Sequence, residues 1–155
     1  SEGLVTMKLR RGAYVTEVSQ RDLSEVFHLL ALLESDAAAT VAAQASESQL
    51  AALEDLHTTL ETAVDDRDRF FTANEAFHMK LLDMAGNRWS VQLVTDLRKV
   101  MKLNRHHSLL REGRLQASLK EHRALLAALK AHDADLARRL MTQHMAQGKA
   151  AASPL

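Results

Sequence analysis

From about residue 20 to about residue 148, apolar residues recur at three- and four-residue spacing, the mark of helices that bury one face. The single proline is Pro154, so nothing within this stretch forbids long helices. The pattern predicts six. The first spans about Gln20 to Gln44 with Leu23, Val26, Phe27, Leu30 and Leu33 as its stripe, and the second about Glu47 to Val64 with Leu53, Leu56, Leu60 and Val64. The third runs from about Asp66 to Ala85 and stops at Gly86-Asn87, a C-cap pair. The fourth spans about Trp89 to Leu110 and breaks at Gly113; the fifth spans about Arg114 to Ala131; Asp133 opens a sixth that ends near Gly148. Short connections between helices of this length predict antiparallel neighbours. The fold class expected is therefore all-α, an antiparallel bundle of about six helices.

A different pattern precedes it. Residues 3–16 read GLVTMKLRRGAYVT, with β-formers on both sides of a basic turn at Arg10, Arg11 and Gly12, which predicts a β-hairpin. A lone hairpin is not stable, so residues 1–18 are expected to be the remnant of another domain. Residues 20–148 then form the helical domain, and 149–155 a frayed tail.

Composition narrows the chemistry. Lys+Arg and Asp+Glu are both 20, so no strongly basic surface announces nucleic acid or an anionic membrane. Cysteine is absent, which removes disulfides, thiolate ligands and cysteine catalysis, and fits a reducing cytoplasm. Unbroken apolar runs are a few residues long, against the roughly 20 needed to span a bilayer. The chain reads as soluble and cytoplasmic, with no membrane partner.

Histidine is abundant: there are eight, against one Trp and one Tyr. A helix advances about 100° per residue, so each can be compared with its own apolar stripe. On the third helix Asn74 and His78 share the face of Phe70, Phe71, Phe77 and Leu81; on the fifth, Leu119, Leu125, Leu126 and Leu129 surround His122; on the sixth, Ala137, Leu140 and Met141 surround His144. His28 and His106 point to solvent, while His57, His107 and His132 fall on stripe edges or in a connection. An unpaired polar group on a buried face costs about 1–3 kcal/mol. Either each inward histidine finds its own hydroxyl or carbonyl, or the set shares a divalent metal such as Zn or Ni, which imidazole suits.

Four motifs in order carry a resemblance: Asn74-Glu-Ala-Phe77-His78, Ala85-Gly86-Asn87, Glu121-His122 with Ala128 and Asp133, and Met141-x-x-His144. Together, from about Asp22 to Gln147, they resemble the FCD ligand-binding domain of the FadR subfamily of GntR transcription regulators. The Leu33-Glu34 pair resembles that domain's opening helix, and the N-terminal segment resembles the wing of the family's winged helix-turn-helix. The resemblance implies a dimer that reads an operator and holds a metal by one Asp and three His. Its ligand set falls on Asn74, His78, His122 and His144. Two departures stand out: Asn74 where the family usually has Asp, and Leu30 where many relatives place Arg. With an amide at 74, metal affinity falls, the metal differs, or the site holds metal only together with an effector.

In such domains a small organic acid binds beside the metal and alters DNA binding. Neutral ligands leave the ion's charge uncompensated, which favours an anion. On the fourth helix Met101, Asn104 and Ser108 lie on the inner stripe and Arg98 and Arg105 at its edge, donors for a carboxylate; read singly, each Arg is a solvated helix edge. Arg10, Arg11 and Gly12 of the wing are candidates for phosphate contact. Two rival classes remain. One is a metal-dependent bundle enzyme, since Glu25-Val-Phe-His28 and Glu75-Ala-Phe-His78 have the Glu-x-x-His spacing of di-iron bundles. A mononuclear hydrolase is the variant of that reading, against which no inward carboxylate stands ready as general base. The other class is a plain helical dimerisation module. The expectation is a sensor domain and not an enzyme.

Overall fold

The computed structural model describes residues 19–152, apart from the side chains of residues 103–107. Six helices follow one another: α1 Gln20–Gln44, α2 Glu47–Thr62, α3 Arg67–Ala85, α4 Arg88–Leu110, α5 Arg114–Lys130 and α6 Ala134–Ala152. Among the described residues there is no strand, so the fold class is corrected from a hairpin-plus-bundle to an all-helical bundle. The expected hairpin, with Arg10, Arg11 and Gly12, lies outside the described residues.

Local chemistry sets the boundaries. Ser19, Ser46, Asp66 and Asn87 each cap a helix start by accepting backbone N–H groups of the first turn, and Ser46 with Gln49 completes a capping box. Gly86 ends α3 in the left-handed region at φ 84°, where a Cβ is strained. The last helix does not stop at Gly148 as expected but continues to Ala152. Gly148 carries no αL turn, its Cα faces the Phe27 ring of α1, and Ala151 and Ala152 are buried, so tertiary packing holds what was expected to fray.

The first helix is the hub: it packs most extensively on α6 and also touches α3, α4 and α5. The second helix departs from the simple up-and-down expectation. Ala45 and Ser46 are both extended, and α2 crosses to α3 and α5 instead of folding back along α1. By length and composition α1 could cross a membrane, a property hidden from a search for unbroken apolar runs because polar residues punctuate it. Here Leu23, Val26, Phe27 and Leu30 face Phe70, Phe77, Leu81 and Met141 in one shared core. Into that core α1, α3, α4, α5 and α6 each also send polar side chains, and these meet.

Candidate metal centre

The three histidines placed inward by periodicity converge. His78 of α3, His122 of α5 and His144 of α6 are buried, with ligating nitrogens all within 4.8 Å of one another. The His78 and His144 rings stack at 5.2 Å between centroids, and His122 stands edge-on to both. Phe77 packs edge-on against His122 at 4.8 Å and fixes that ring from behind.

Two of the three rings are oriented by carboxylates. His78 Nδ1 lies 2.5 Å from Glu34 Oε1, and Arg98 Nη2 donates to both Glu34 oxygens at 2.6 Å. His144 Nδ1 lies 2.6 Å from Glu121 Oε1, and Arg114 grips Glu121 with both terminal nitrogens at 2.8 and 2.9 Å. With each Nδ1 occupied by an anion, both Nε2 atoms turn inward and meet at 3.3 Å. A carboxylate behind a histidine in this way fixes the tautomer and raises the basicity of the free nitrogen.

Charge states favour ligation. Burial, with neighbouring Arg98 and His144 adding to it against Glu34, lowers His78 to about 4. Burial, reinforced by His144 and His78, lowers His122 well below the ordinary histidine range. Burial works against an ionised Glu34, but the charges and hydrogen bonds of Arg98 and His78 overcome it and hold the carboxyl at about 2. Glu121 is also lowered, burial being outweighed by its bonds from His144 and Arg114.

Several buried atoms around the cluster have no hydrogen-bond partner among the described residues: both ring nitrogens of His122, Oδ1 of Asn74, and Nε and Nη1 of Arg98. A divalent metal fits this donor set. Ligands 2.0–2.1 Å from a tetrahedral ion are about 3.3 Å apart, the His78–His144 spacing, and His122 and the Asn74 oxygen are donors without acceptable alternatives nearby. Beside the cluster is a cavity of about 60 Å³, lined by Asn74, His78, His144, Arg98, Ser108 and Arg114 among others.

Of the residues expected to meet an effector, Arg98, Met101 and Ser108 line this cavity. The side chains of Asn104 and Arg105 are outside the described set, as are those of His106 and His107. Arg98 corrects its reading as a solvated edge: it is 3% exposed, because α1 brings Glu34 to it. The absence of an inward carboxylate is corrected twice over, by Glu34 and Glu121. Neither stands free as a general base, since each is gripped by an arginine and a histidine. Glu34 was readable, lying four residues beyond Leu30 and seven beyond Phe27 on the inward stripe of its helix. His57 corrects another reading: it is buried, with Nε2 2.7 Å from Glu61, itself held by Arg123. His28 and Glu25 are exposed, and Glu25 pairs with Arg21, so the di-iron spacing on α1 does not reach the cluster.

Comparison with known proteins agrees with the helical fold. The HTH-type transcriptional repressor RspR of Escherichia coli K12 is 26% identical over 145 residues, which cover 92% of this chain and 64% of the relative. YdhC of Bacillus subtilis, named an uncharacterized HTH-type transcriptional regulator, is 24% identical over 146 residues, 92% of this chain and 65% of its own length. The chain thus spans somewhat less than two thirds of the length of these relatives, which are named as regulators and not as enzymes. The solved structure of E. coli McbR/YncC shares the fold, with a TM-score of 0.81 at 24% identity over 88% of this chain and 70% of that one. The FCD domain matches residues 25–147, most of the sequence and every helix that contributes to the histidine cluster, and the chain belongs to the FCD family.

Proposed function

We propose that this chain is the effector-sensing and dimerisation part of a cytoplasmic, DNA-binding transcription regulator, with a divalent transition metal held by Asn74, His78, His122 and His144 and a small carboxylate bound beside it. The observation that carries the reading is His122, buried with neither ring nitrogen bonded among the described residues and aimed at two other imidazoles. Bound there, such an ion supplies a Lewis-acidic anchor for an anion. His78 and His144 present Nε2, oriented by Glu34 and Glu121; Phe77 keeps His122 in register; Arg98 and Ser108 offer donors across the cavity. The names of RspR and YdhC support a role in transcription, exercised on an operator by a longer protein. Exposed Leu29 and Leu32 on α1, and Trp89 and Leu93 on α4, support a dimer by offering apolar surface to a second copy.

Metal analysis tests the core of this reading. After chelator treatment and reloading with Zn²⁺ or Ni²⁺, in the presence of acetate or succinate, one metal per chain is expected, and none in His122→Ala. Equal occupancy in that variant removes His122 from the ligand set. For the whole protein, a small carboxylate is expected to change the affinity of a dimer for a palindromic operator; indifference to every carboxylate in a broad panel refutes the sensing role.

A further inference from the structure

We infer that metal and carboxylate enter this cavity as a thermodynamically coupled pair, each binding weakly alone, because Asn74 leaves the site without a negative charge of its own. The inference rests on the metal-site reading above and takes up the third consequence of an amide at position 74, metal held only together with an effector.

The donors assigned to the ion are the three clustered imidazoles and the unpartnered amide oxygen of Asn74, and none is anionic. Charge could still come from the residues behind them. The carboxylates that touch the cluster are Glu34 and Glu121, and each is matched by one guanidinium, Arg98 and Arg114 respectively, at 2.6–2.9 Å. Both surrounding pairs therefore cancel. A dication entering from water loses its hydration and meets no net negative charge in return, and burying unpaired charge is costly.

The same cavity has a second deficit of the same sign. Arg98 uses Nη2 on Glu34 and leaves Nε and Nη1 buried without acceptors. They lie on opposite sides of one planar guanidinium, so a carboxylate in the cavity takes one of them in a charge-assisted hydrogen bond. One carboxylate in the cavity answers both deficits: it supplies an acceptor for one of the two unpaired Arg98 donors and negative charge for the ion. A volume of about 60 Å³ exceeds the roughly 10–15 Å³ that a single water needs on a comparable measure, and accommodates a carboxylate head. Because coupling between two ligands is reciprocal, the metal must raise carboxylate affinity by the factor by which the carboxylate raises metal affinity. Couplings of this kind span about 5–150-fold, and compensation of a full buried charge belongs in the upper part of that range.

The experiment titrates the chelator-stripped protein with Zn²⁺ against a competing indicator, in a non-coordinating buffer, with and without saturating acetate, lactate or succinate. At least one of these is expected to tighten Zn²⁺ binding about tenfold or more, and isothermal titration of that carboxylate with and without Zn²⁺ should return the same factor. In Asn74→Asp the protein carries the missing charge, so Zn²⁺ is expected to bind tightly without carboxylate and the coupling to fall below about threefold. Equal Zn²⁺ affinity with and without every carboxylate overturns the coupling while leaving the metal site in place. Full coupling retained in Asn74→Asp overturns the role given to Asn74. Absence of Zn²⁺ binding under all conditions overturns the metal-site reading itself, and this inference with it.

Discussion

Replacing Glu34 by Gln tests the most buried link of the centre. The change keeps the volume and removes the charge that holds Arg98 and orients His78. Glu34 is fully buried and Arg98 is 3% exposed, so no water compensates. Two routes give the magnitude. A carboxyl held at about 2 instead of 4.5 is stabilised in its charged form by about 3 kcal/mol, at 1.36 kcal/mol per tenfold. Breaking a buried pair from one side costs about 3–5 kcal/mol because the other charge is stranded. The expected loss is therefore about 3 kcal/mol in urea unfolding of the metal-free protein at pH 7, or roughly 6–12 °C in Tm for a chain of this length. Replacing both partners, as Glu34→Leu with Arg98→Met, is expected to return most of that stability. A loss below about 1 kcal/mol in Glu34→Gln, or a double variant as weak as the sum of its singles, refutes the pairing as the source of the effect.

Acid should weaken the metal-free protein in two stages. His78, at about 4, and His122, well below 6.5, resist protonation that the unfolded chain accepts; the stability present above about 6.5 is lost as pH falls toward 4. Glu34 and Glu61, both at about 2 against 4.5, add a further loss between those values. Equal urea midpoints at pH 7 and pH 5 would contradict the first stage. His122→Leu removes two buried unbonded nitrogens, so metal-free stability at pH 7 is expected to hold or rise by about 1–2 kcal/mol while metal binding collapses; a marked loss of stability would mean that the ring has protein partners. Gly86→Ala and Gly148→Ala should move Tm in opposite directions, down by about 1 kcal/mol where φ is +84° and up by about 0.5–1 kcal/mol inside α6, where a Cβ meets Phe27 at an ordinary 3.6 Å. The same sign at both sites would defeat the backbone argument.

The inward histidines and Asn74 were legible because helical periodicity is local: an apolar stripe and a residue's distance along it fix which way a side chain turns. Helix starts were legible for a similar reason, since Ser46, Asp66 and Asn87 act on groups within three residues of themselves. Arg98 was not legible as a buried residue. It sits at the edge of its stripe, and only the arrival of Glu34, 64 residues away in sequence, makes that edge an interior. Pairings of this kind depend on how helices are arranged, which spacing within one helix does not encode. The path of α2 and the persistence of α6 beyond Gly148 are decided by tertiary contact in the same way. The hairpin expectation is of another sort, since it concerns residues outside the described part of the chain.

The position of Glu34 on α1 also has a mechanical meaning. From Gln20 to Glu34 the helix is unbroken and free of proline, about 21 Å of rise at 1.5 Å per residue. Backbone hydrogen bonds make such a rod stiff along its length, and Arg98 and His78 clamp it at Glu34, within the helix and ten residues before its end at Gln44. A small rotation at the clamp is magnified along the shaft: tilting it by about 5° sweeps Ser19 through roughly 2 Å, over a lever arm given by the helical rise. The polar cluster thus grips the middle of a packed helix whose N-terminal end is the entrance to the residues that precede the bundle.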